Sequence, residues 1–347
     1  SDGTTEGTVL VKDIVVGTLD AEIAYLTPFK DAVFFQAIHG TLYEGAELWC
    51  SDGTEEGMVL VKDINPNGYG WPKYLTKMSD TLFFTAQDSD DNRELWKTDG
   101  TPEGTVLVKD INPDGQSNPS TFAVIDGTLF FSAVDGQTGR ELWKSDGTEA
   151  GTVLVKDINP SGSSGSSPHP LNGVVCFSAN DGIHGSQLWK SDGTEAGTVM
   201  VKQVIDWDGV FPDGFSDWTN VNGTLFFVVS DGVHGRELWK TDGTEAGTHL
   251  VKDIDPREPG LFQGSGDPRR LKNINGTLYF NANDGTHGYE LWKSDGSEAG
   301  TVMLKDIDAS EISTPSAYAF VSGTIYFQAN DGINGSELIN RMKTQAQ

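Results

Sequence analysis

The sequence has few cysteines, few basic residues and no long apolar run. Only 2 of its 347 residues are Cys, too few for a disulfide scaffold. Lys and Arg number 24 against 51 Asp and Glu, and the resulting net charge of −27 would repel phosphate backbones. No apolar run approaches the roughly 18 residues of a membrane helix. We therefore expect neither nucleic acid as a partner nor a membrane span.

The sequence also lacks any sustained helical period of 3.6 residues, and it shows an internal repeat instead. The tripeptide Asp-Gly-Thr, once Asp-Gly-Ser, starts at Asp2, Asp52, Asp99, Asp146, Asp192, Asp242 and Asp295. Glu-Leu-Trp precedes five of these copies, and Gln187-Leu188-Trp189 precedes another. The last copy of this second string, Glu337-Leu338-Ile339, has lost its Trp. Strings similar to Val-Leu-Val-Lys-Asp-Ile follow each Asp-Gly-Thr.

Each repeat is typical of four short β-strands. In the third repeat we predict strands over 121–125, 128–133, 141–145 and 152–158, with a tight turn at Asp126-Gly127 between the first two. Four strands per 40 to 50 residues indicate a β-propeller blade. The fold class predicted from the sequence is therefore all-β, a seven-bladed β-propeller with four strands per blade.

The two ends of the chain each hold part of a blade. We expect one domain over 1–347, with a seventh blade split between 1–14 and 315–340. The N-terminal segment would then close the ring as the outer strand of the last blade, which removes exposed sheet edges. The other six blades are predicted near 21–64, 72–111, 119–158, 168–204, 217–254 and 268–307.

The string Glu-Leu-Trp-x-x-Asp-Gly-Thr, as at 141–148, resembles the ELWxxDGT repeat of a secreted bacterial, hyalin-like β-propeller family. The resemblance covers essentially the whole chain in seven ordered copies. It implies a protein that is secreted or displayed on the cell surface.

Most of the repeated residues are expected to be structural. The Trp of each Glu-Leu-Trp would fill the gap between neighbouring blades. The Asp of Asp-Gly-Thr would cap its own turn. Asp110 and Asp157 would pair with Arg93 and Arg140 on the adjacent third strand. The histidines at one slot of three blades, His184, His234 and His287, are expected to pack rather than bind metal.

The loops between blades carry most of the variation, and loops on a rigid scaffold commonly carry function. We predict ligand-binding residues in three of them: Tyr69, Trp71, Trp207, Asp208, Phe211, Asp213, Phe215, Trp218, Arg269 and Arg270. Aromatic rings stack on apolar sugar faces, and carboxylates accept hydrogen bonds from sugar hydroxyls. The alternative is that these aromatic residues plug the pore or form a small loop core.

One acidic loop is a candidate calcium site. Asp88, Asp90 and Asp91 lie close together in the second blade, and Ca²⁺ binds six to eight oxygen ligands. The alternative is a turn capped by Asp. Calcium is the single cofactor that the sequence puts forward.

These features predict a non-catalytic binding or adhesion module that recognises glycans or a surface polymer. One alternative is a scaffold that binds another surface protein, which sugars would not compete away. Another is a carbohydrate-active lyase or hydrolase, which would release products from a polysaccharide.

Overall fold

The computed structural model describes residues 1, 3–15, 20–38, 45–89, 92–205, 214–257, 264–307, 313, 315–321 and 324–340. The chain divides into two compact units, 1–183 with 191–198, and 184–190 with 199–347. All regular elements of the described residues are β-strands. Within that part of the chain, no helical segment has the length and hydropathy that a bilayer crossing requires.

The first unit contains three complete four-stranded antiparallel sheets, in which consecutive strands pair. Sheet 1 consists of β1 Ala24–Phe29, β2 Ala32–Ile38, β3 Ala46–Ser51 and β4 Val59–Lys62. Sheet 2 consists of β5 Lys73–Met78, β6 Thr81–Ser89, β7 Asn92–Thr98 and β8 Val106–Lys109. Sheet 3 consists of β9 Ser120–Ile125, β10 Thr128–Val134, β11 Arg140–Ser145 and β12 Val153–Lys156.

The fourth sheet contributes residues to both units, and three more sheets belong to the second. Sheet 4 consists of β13 His169–Leu171, β14 Val174–Asn180, β15 Ser186–Ser191 and β16 Val199–Lys202. Sheet 5 consists of β17 Ser216–Val221, β18 Thr224–Ser230, β19 Arg236–Thr241 and β20 His249–Lys252. Sheet 6 consists of β21 Arg269–Ile274, β22 Thr277–Asn283, β23 Tyr289–Ser294 and β24 Val302–Lys305. Sheet 7 consists of β25 Ser316–Val321, β26 Thr324–Asn330 and β27 Ser336–Asn340.

Seven antiparallel sheets confirm the predicted fold class, a seven-bladed all-β propeller. The strands of sheets 1 to 4 and of sheet 6 lie inside the blade bounds predicted from the repeats, whereas sheet 5 begins at Ser216, one residue before its predicted bound. The predicted outer strand of the seventh blade differs, because residues 8–14 are not assigned to a strand and sheet 7 has three strands.

Residues 8–14 nevertheless contact sheet 1 as a preceding outer strand would. Val11 and Ile14 pack against the core that contains Phe35 and Trp49. Lys12 Nζ donates to the Met58 carbonyl at 2.9 Å. Lys109 Nζ at the end of β8 makes the same kind of contact with the Thr152 carbonyl before β12. The role of the N-terminal segment as the outer strand of the seventh blade stays a prediction.

The cores lie between successive sheets, and the repeated Trp belongs to them. Trp96 of sheet 2 is 7% exposed and packs with Phe34 and Leu48 of sheet 1. In the second unit, Trp292 of sheet 6 is 5% exposed and packs in the same way with Leu238 of sheet 5. The prediction that this Trp fills the space between blades is confirmed within each unit.

Lysines join successive sheets within each unit through backbone carbonyls. The lysine that ends the outer strand in sheets 1 to 5 donates across to the next sheet, as in Lys109 Nζ to Thr152 O at 2.9 Å and Lys252 Nζ to Thr301 O at 3.1 Å. A second lysine, on the third strand, reaches the next Asp-Gly turn, as in Lys144 Nζ to Gly193 O at 2.8 Å. In each contact the positively charged ammonium group donates a charge-assisted hydrogen bond to the carbonyl oxygen, in place of one to water.

The Asp-Gly-Thr turns are held by their own side chains, as predicted. Asp146 Oδ1 accepts the Thr148 N–H at 2.8 Å and the Thr148 hydroxyl at 2.7 Å. Gly147 has φ +90°, a conformation that a residue with a Cβ rarely adopts. Hydrogen bonds from Thr148 keep the pKa of Asp146 below its ordinary value.

We expect Asp146→Ala to lower the free energy of unfolding by about 1 kcal/mol, because two hydrogen bonds to a carboxylate are lost. Asp146→Asn keeps the Oδ1 acceptor and serves as the control, with a smaller loss. Urea denaturation of the three proteins measures both effects. An Ala variant as stable as the parent would show that the turn does not depend on this side chain.

The predicted ion pairs of Arg93 with Asp110 and of Arg140 with Asp157 are wrong. The register of β7 with β8 brings Asp110 beside Glu94 instead, and the charge of Asp110 adds to the raised pKa of Glu94. Both arginines donate to neutral oxygens, as the site below shows.

The histidine slot makes a contact inside its own loop. His234 Nδ1 lies 2.7 Å from Asp231 Oδ2, and His287 Nδ1 lies 2.7 Å from Asp284 Oδ2. The shared slot therefore reflects loop structure, in line with the packing role predicted for it.

Neither of the two cysteines, Cys50 and Cys176, is in a disulfide bond. Burial raises the pKa of Cys50, and Cys176 is fully buried in β14.

Candidate functional site

The loops between sheets are anchored by the Glu of each Glu-Leu-Trp string. In the second unit, Glu237 is fully buried and accepts the Ile254 N–H at 3.1 Å and the Gly266 N–H at 2.5 Å. These two amides lie on either side of the loop that joins sheets 5 and 6. One carboxyl therefore closes the whole loop, and we call this arrangement the glutamate clasp.

The clasp recurs in the first unit, with the first amide again 17 residues after the Glu and the second amide 23 residues after it instead of 29. Glu47 accepts the Ile64 N–H at 2.8 Å and the Gly70 N–H at 2.6 Å. The remaining buried members of the set in that unit, Glu94 and Glu141, each bond two backbone amides as well.

Burial raises the pKa of the clasp carboxyls. The pKa of Glu47 rises to about 7 and that of Glu237 to about 8, because desolvation outweighs the backbone hydrogen bonds that favour the ionised form. Gln187 fills the same place in sheet 4, and its Oε1 accepts the Val204 N–H at 2.8 Å. Its Oε1 also accepts the Ile205 N–H at 3.1 Å, so a neutral side chain can hold the amides at the start of this loop.

The first strand of most sheets contains a β-bulge that turns a side chain outward. The register shifts between Ala24 and Thr27 in β1 and between Lys73 and Thr76 in β5. The first bulged residue has positive φ in five sheets: Tyr25 (58°), Tyr74 (58°), Thr121 (55°), Asp217 (52°) and Arg270 (57°). Bulges commonly re-aim side chains at functional positions.

In the first unit the bulges line up aromatic rings. The Tyr25 and Tyr74 rings are 6.3 Å apart, and the Tyr74 and Phe122 rings are 6.1 Å apart. Tyr25 and Tyr74 remain 41% and 43% exposed. Rings of adjacent first strands thus present an accessible aromatic row.

Tyr69 and Trp71, predicted as ligand-binding residues, lie together next to this row. Their rings stack 5.2 Å apart at 17°, and Lys73 Nζ lies 5.5 Å from the Trp71 ring centre. Both aromatic side chains are half-buried. The Trp71 N–H donates to Ala46 O at 2.8 Å, which fixes the loop that carries them.

A cavity of about 270 Å³ lies beside this group in the same unit. It is lined by Lys73, Tyr74, Thr85, Arg93, Asn118, Pro119, Ser120 and Arg140. Burial lowers the pKa of Arg93 and of Arg140, and burial together with the nearby charge of Arg93 lowers the pKa of Lys73. We call this feature the cationic cavity.

Phe215 and Trp218, in the second unit, form a small loop core. Their rings stack 5.6 Å apart, and they lie 5.4 and 4.9 Å from the ring of the fully buried Phe227. Of the two interpretations left open by the sequence, the loop core fits these two residues better than an open sugar platform.

Arg269 and Arg270, also in the second unit, are engaged by protein groups. Arg269 forms an ion pair with Asp267 and lies 4.8 Å from the Tyr289 ring centre. Arg270 Nη1 donates to Pro315 O at 3.1 Å. Neither guanidinium joins the predicted aromatic residues among the described ones.

Several predicted site residues lie outside the described residues. They are Trp207, Asp208, Phe211 and Asp213 of the predicted ligand site, and Asp90 and Asp91 of the predicted calcium loop. Asp88 Oδ1 accepts a hydrogen bond from Asn92 Nδ2 at 2.9 Å. In the described ranges, no three His, Cys, Asp or Glu side chains come together in a group that could hold a metal ion.

Sequence reasoning missed the cationic cavity and the bulged tyrosines. Arg93 and Arg140 recur in the repeat, which favoured a structural interpretation. Tyr25 and Tyr74 hold a positive φ without the Gly or Asn that usually indicates one. One signal was available in the sequence. Tyr25, Tyr74 and Phe122 follow the Asp-Gly-Thr string of their repeats at nearly the same distance.

No family profile and no curated protein sequence matches this chain. Solved structures do match it in fold. Prolyl oligopeptidase B from Galerina marginata is 10% identical with a TM-score of 0.50, over 94% of this chain and 49% of that one. Puromycin hydrolase is 13% identical with a TM-score of 0.48, over 92% of this chain and 51% of its own.

A protein of Listeria monocytogenes EGD-e is 10% identical with a TM-score of 0.48, over 98% of this chain and 100% of that one. The chain spans about half the length of the two peptidases. At these identities the likeness concerns the fold alone.

Proposed function

We propose that this chain is a non-catalytic module, secreted or displayed on the cell surface, that binds a glycan or another surface polymer. The observation that carries the proposal is the stacked Tyr69–Trp71 pair next to Lys73. Such a pair offers an apolar face for a sugar ring, with hydrogen-bond donors close by.

Further support comes from the surroundings of this pair. The exposed Tyr25 and Tyr74 rings extend the aromatic surface across adjacent sheets. The clasp at Glu47 holds the loop through the Gly70 N–H, next to Trp71, so the platform is positioned before a ligand arrives. Pre-positioned groups bind with a smaller entropy cost.

We expect Trp71→Ala to reduce glycan binding at least about tenfold while the melting temperature stays within a few degrees, because the ring is half-buried and lies in a loop. A glycan array followed by calorimetry measures binding, and calorimetric melting checks the fold. Each binding experiment is run with calcium and with a chelator, which tests the predicted metal separately.

Trp218→Ala is the matched control, because its ring packs on Phe227 in the loop core. It should lower stability more than Trp71→Ala and leave binding unchanged. Binding that survives Trp71→Ala would move the site elsewhere. A blank array combined with capture of a defined surface protein would favour the scaffold alternative.

A further inference from the structure

The cationic cavity stands out against the charge of the whole chain. The net charge is −27, yet Lys73, Arg93 and Arg140 line one cavity of about 270 Å³ in the first unit. None of the residues described as lining it is acidic. Three like charges that share a partly buried space repel one another and lose hydration, so an anion in that space would relieve both costs.

The two guanidiniums use only part of their donors on protein groups. Arg93 donates to the Gln87 side chain and, at 3.4 Å, to the Trp71 carbonyl. Arg140 donates only from Nη1, with Asn118 O nearest at 3.1 Å. All of these acceptors are neutral. Within the described ranges, which omit 90 and 91, no carboxylate lies at ion-pair distance from either arginine.

In the second unit the equivalent arginine has a carboxylate at ion-pair distance, which it shares with Arg269. Arg236 occupies the place of Arg93 and Arg140 at the start of the third strand, and its Nε lies 3.2 Å from Asp267 Oδ1. Asp267 follows the amide that Glu237 accepts. In the first unit the position of Asp267 is taken by a residue without a carboxylate. It is Asn118 in the loop beside Arg93 and Gly165 in the loop beside Arg140. The first unit therefore lacks the carboxylate that the second unit supplies.

We propose that the cationic cavity binds the carboxylate or sulfate group of an acidic glycan. Guanidinium groups bind such oxyanions in pairs of parallel hydrogen bonds, and Lys73 adds a third positive charge. Ser120 and Asn118 provide neutral polar groups on the same wall, and Tyr74 provides a ring for the sugar face. The volume suits one charged sugar residue, not a folded partner.

The assignment to a glycan rests on the proposed function, whereas the assignment to an anion rests on the cavity alone. The test therefore separates the two. The probes are a polygalacturonate hexamer, its neutral methyl ester, a sulfated hexasaccharide and sodium sulfate. The proteins are the full chain, the double variant Arg93→Gln/Arg140→Gln, Trp71→Ala, and Lys77→Gln. Lys77 is an exposed lysine of β5 that does not line the cavity.

We expect the acidic hexamers to bind at least about tenfold more tightly than the methyl ester at low salt, with the preference falling as salt rises. The double variant should lose this preference and Lys77→Gln should keep it. The double variant loses hydrogen bonds to neutral acceptors as well as a like-charge repulsion, so its melting temperature is measured without a ligand to check that it folds. Equal binding of acid and ester, or of parent and double variant, would overturn the proposal.

The remaining outcomes distinguish the proposed glycan-binding function from the proposed anion site. Ester binding that needs Trp71 but not the arginines would keep the proposed function and overturn the anion site. A larger stabilisation of the parent than of the double variant by sodium sulfate, without hexamer binding, would support the anion site and overturn its assignment to a glycan.

Discussion

Replacing Glu237 by Ala should lower the free energy of unfolding by about 3 kcal/mol or more. The change leaves the Ile254 and Gly266 amides buried without an acceptor, and each unsatisfied group costs roughly 1–3 kcal/mol. It also opens a cavity at a fully buried side chain. Chemical denaturation monitored by tryptophan fluorescence measures the loss.

Glu237→Gln is the matched control, since the chain already carries Gln187 at the equivalent place. We expect this variant to lose less stability than Glu237→Ala, because the amide oxygen still accepts one of the two N–H groups, which Glu237 binds through separate oxygens. If Glu237→Gln were as damaging as Glu237→Ala, the charge and not the hydrogen bonds would anchor the loop, which would contradict the clasp.

The stability of the chain should fall as the pH rises from about 5 to 8. The folded-state pKa of Glu47 is about 7 and that of Glu237 about 8, both above the ordinary value of 4.5. Between these values the folded state binds more protons than the unfolded state, so the free energy of unfolding decreases with pH. At roughly 1.4 kcal/mol per pKa unit, the combined loss is on the order of 3 kcal/mol or more.

The double variant Glu47→Gln/Glu237→Gln should flatten this profile, because it has no proton to lose at either site. His287 also lowers the free energy of unfolding as the pH rises, because its hydrogen bond with Asp284 raises its pKa. This contribution is the same in the parent and in the double variant. Below about pH 5 the sign reverses, because hydrogen-bonded turn carboxylates such as Asp146 have lowered pKa values and become protonated. Denaturant titrations at one-unit pH steps trace both limbs, and an unchanged slope in the double variant would contradict the assignment.

The repeat made most of the fold predictable, because the same strand and turn pattern occurs in several copies that support one another. Asp-Gly-Thr and Glu-Leu-Trp define the turn and the buried third strand, and the observed bounds of β9 to β12 differ little from the predicted ones. The outer strand of sheet 7 was less predictable. Residues 8–14 reproduce the side-chain contacts of such a strand with sheet 1 but are not assigned to one.

The candidate site was less predictable than the fold, for reasons that particular residues illustrate. A buried Glu runs against the usual exposure of charged side chains, and only Gln187 at the equivalent place hinted at it. Arg93 and Arg140 each donate to a backbone carbonyl, a group that every residue possesses and no sequence pattern reveals. Of the predicted aromatic residues, Tyr69 and Trp71 stay candidates because they stack on each other and remain half-buried, whereas Phe215 and Trp218 pack on the buried ring of Phe227.

The lysine contacts between sheets bear on how such a chain can change over generations. A repeat such as the third one takes part in two of these contacts. Its Thr152 carbonyl accepts a hydrogen bond from Lys109 of the preceding sheet, and its own Lys156 donates to the Thr198 carbonyl of the next. Because the acceptor is backbone, the joint does not depend on which side chain stands there. Repeats are therefore interchangeable at their joints, and a duplicated copy arrives already able to attach to either neighbour. Loops such as 65–73 or 255–270 can then diverge in length and chemistry without any compensating change in the joints.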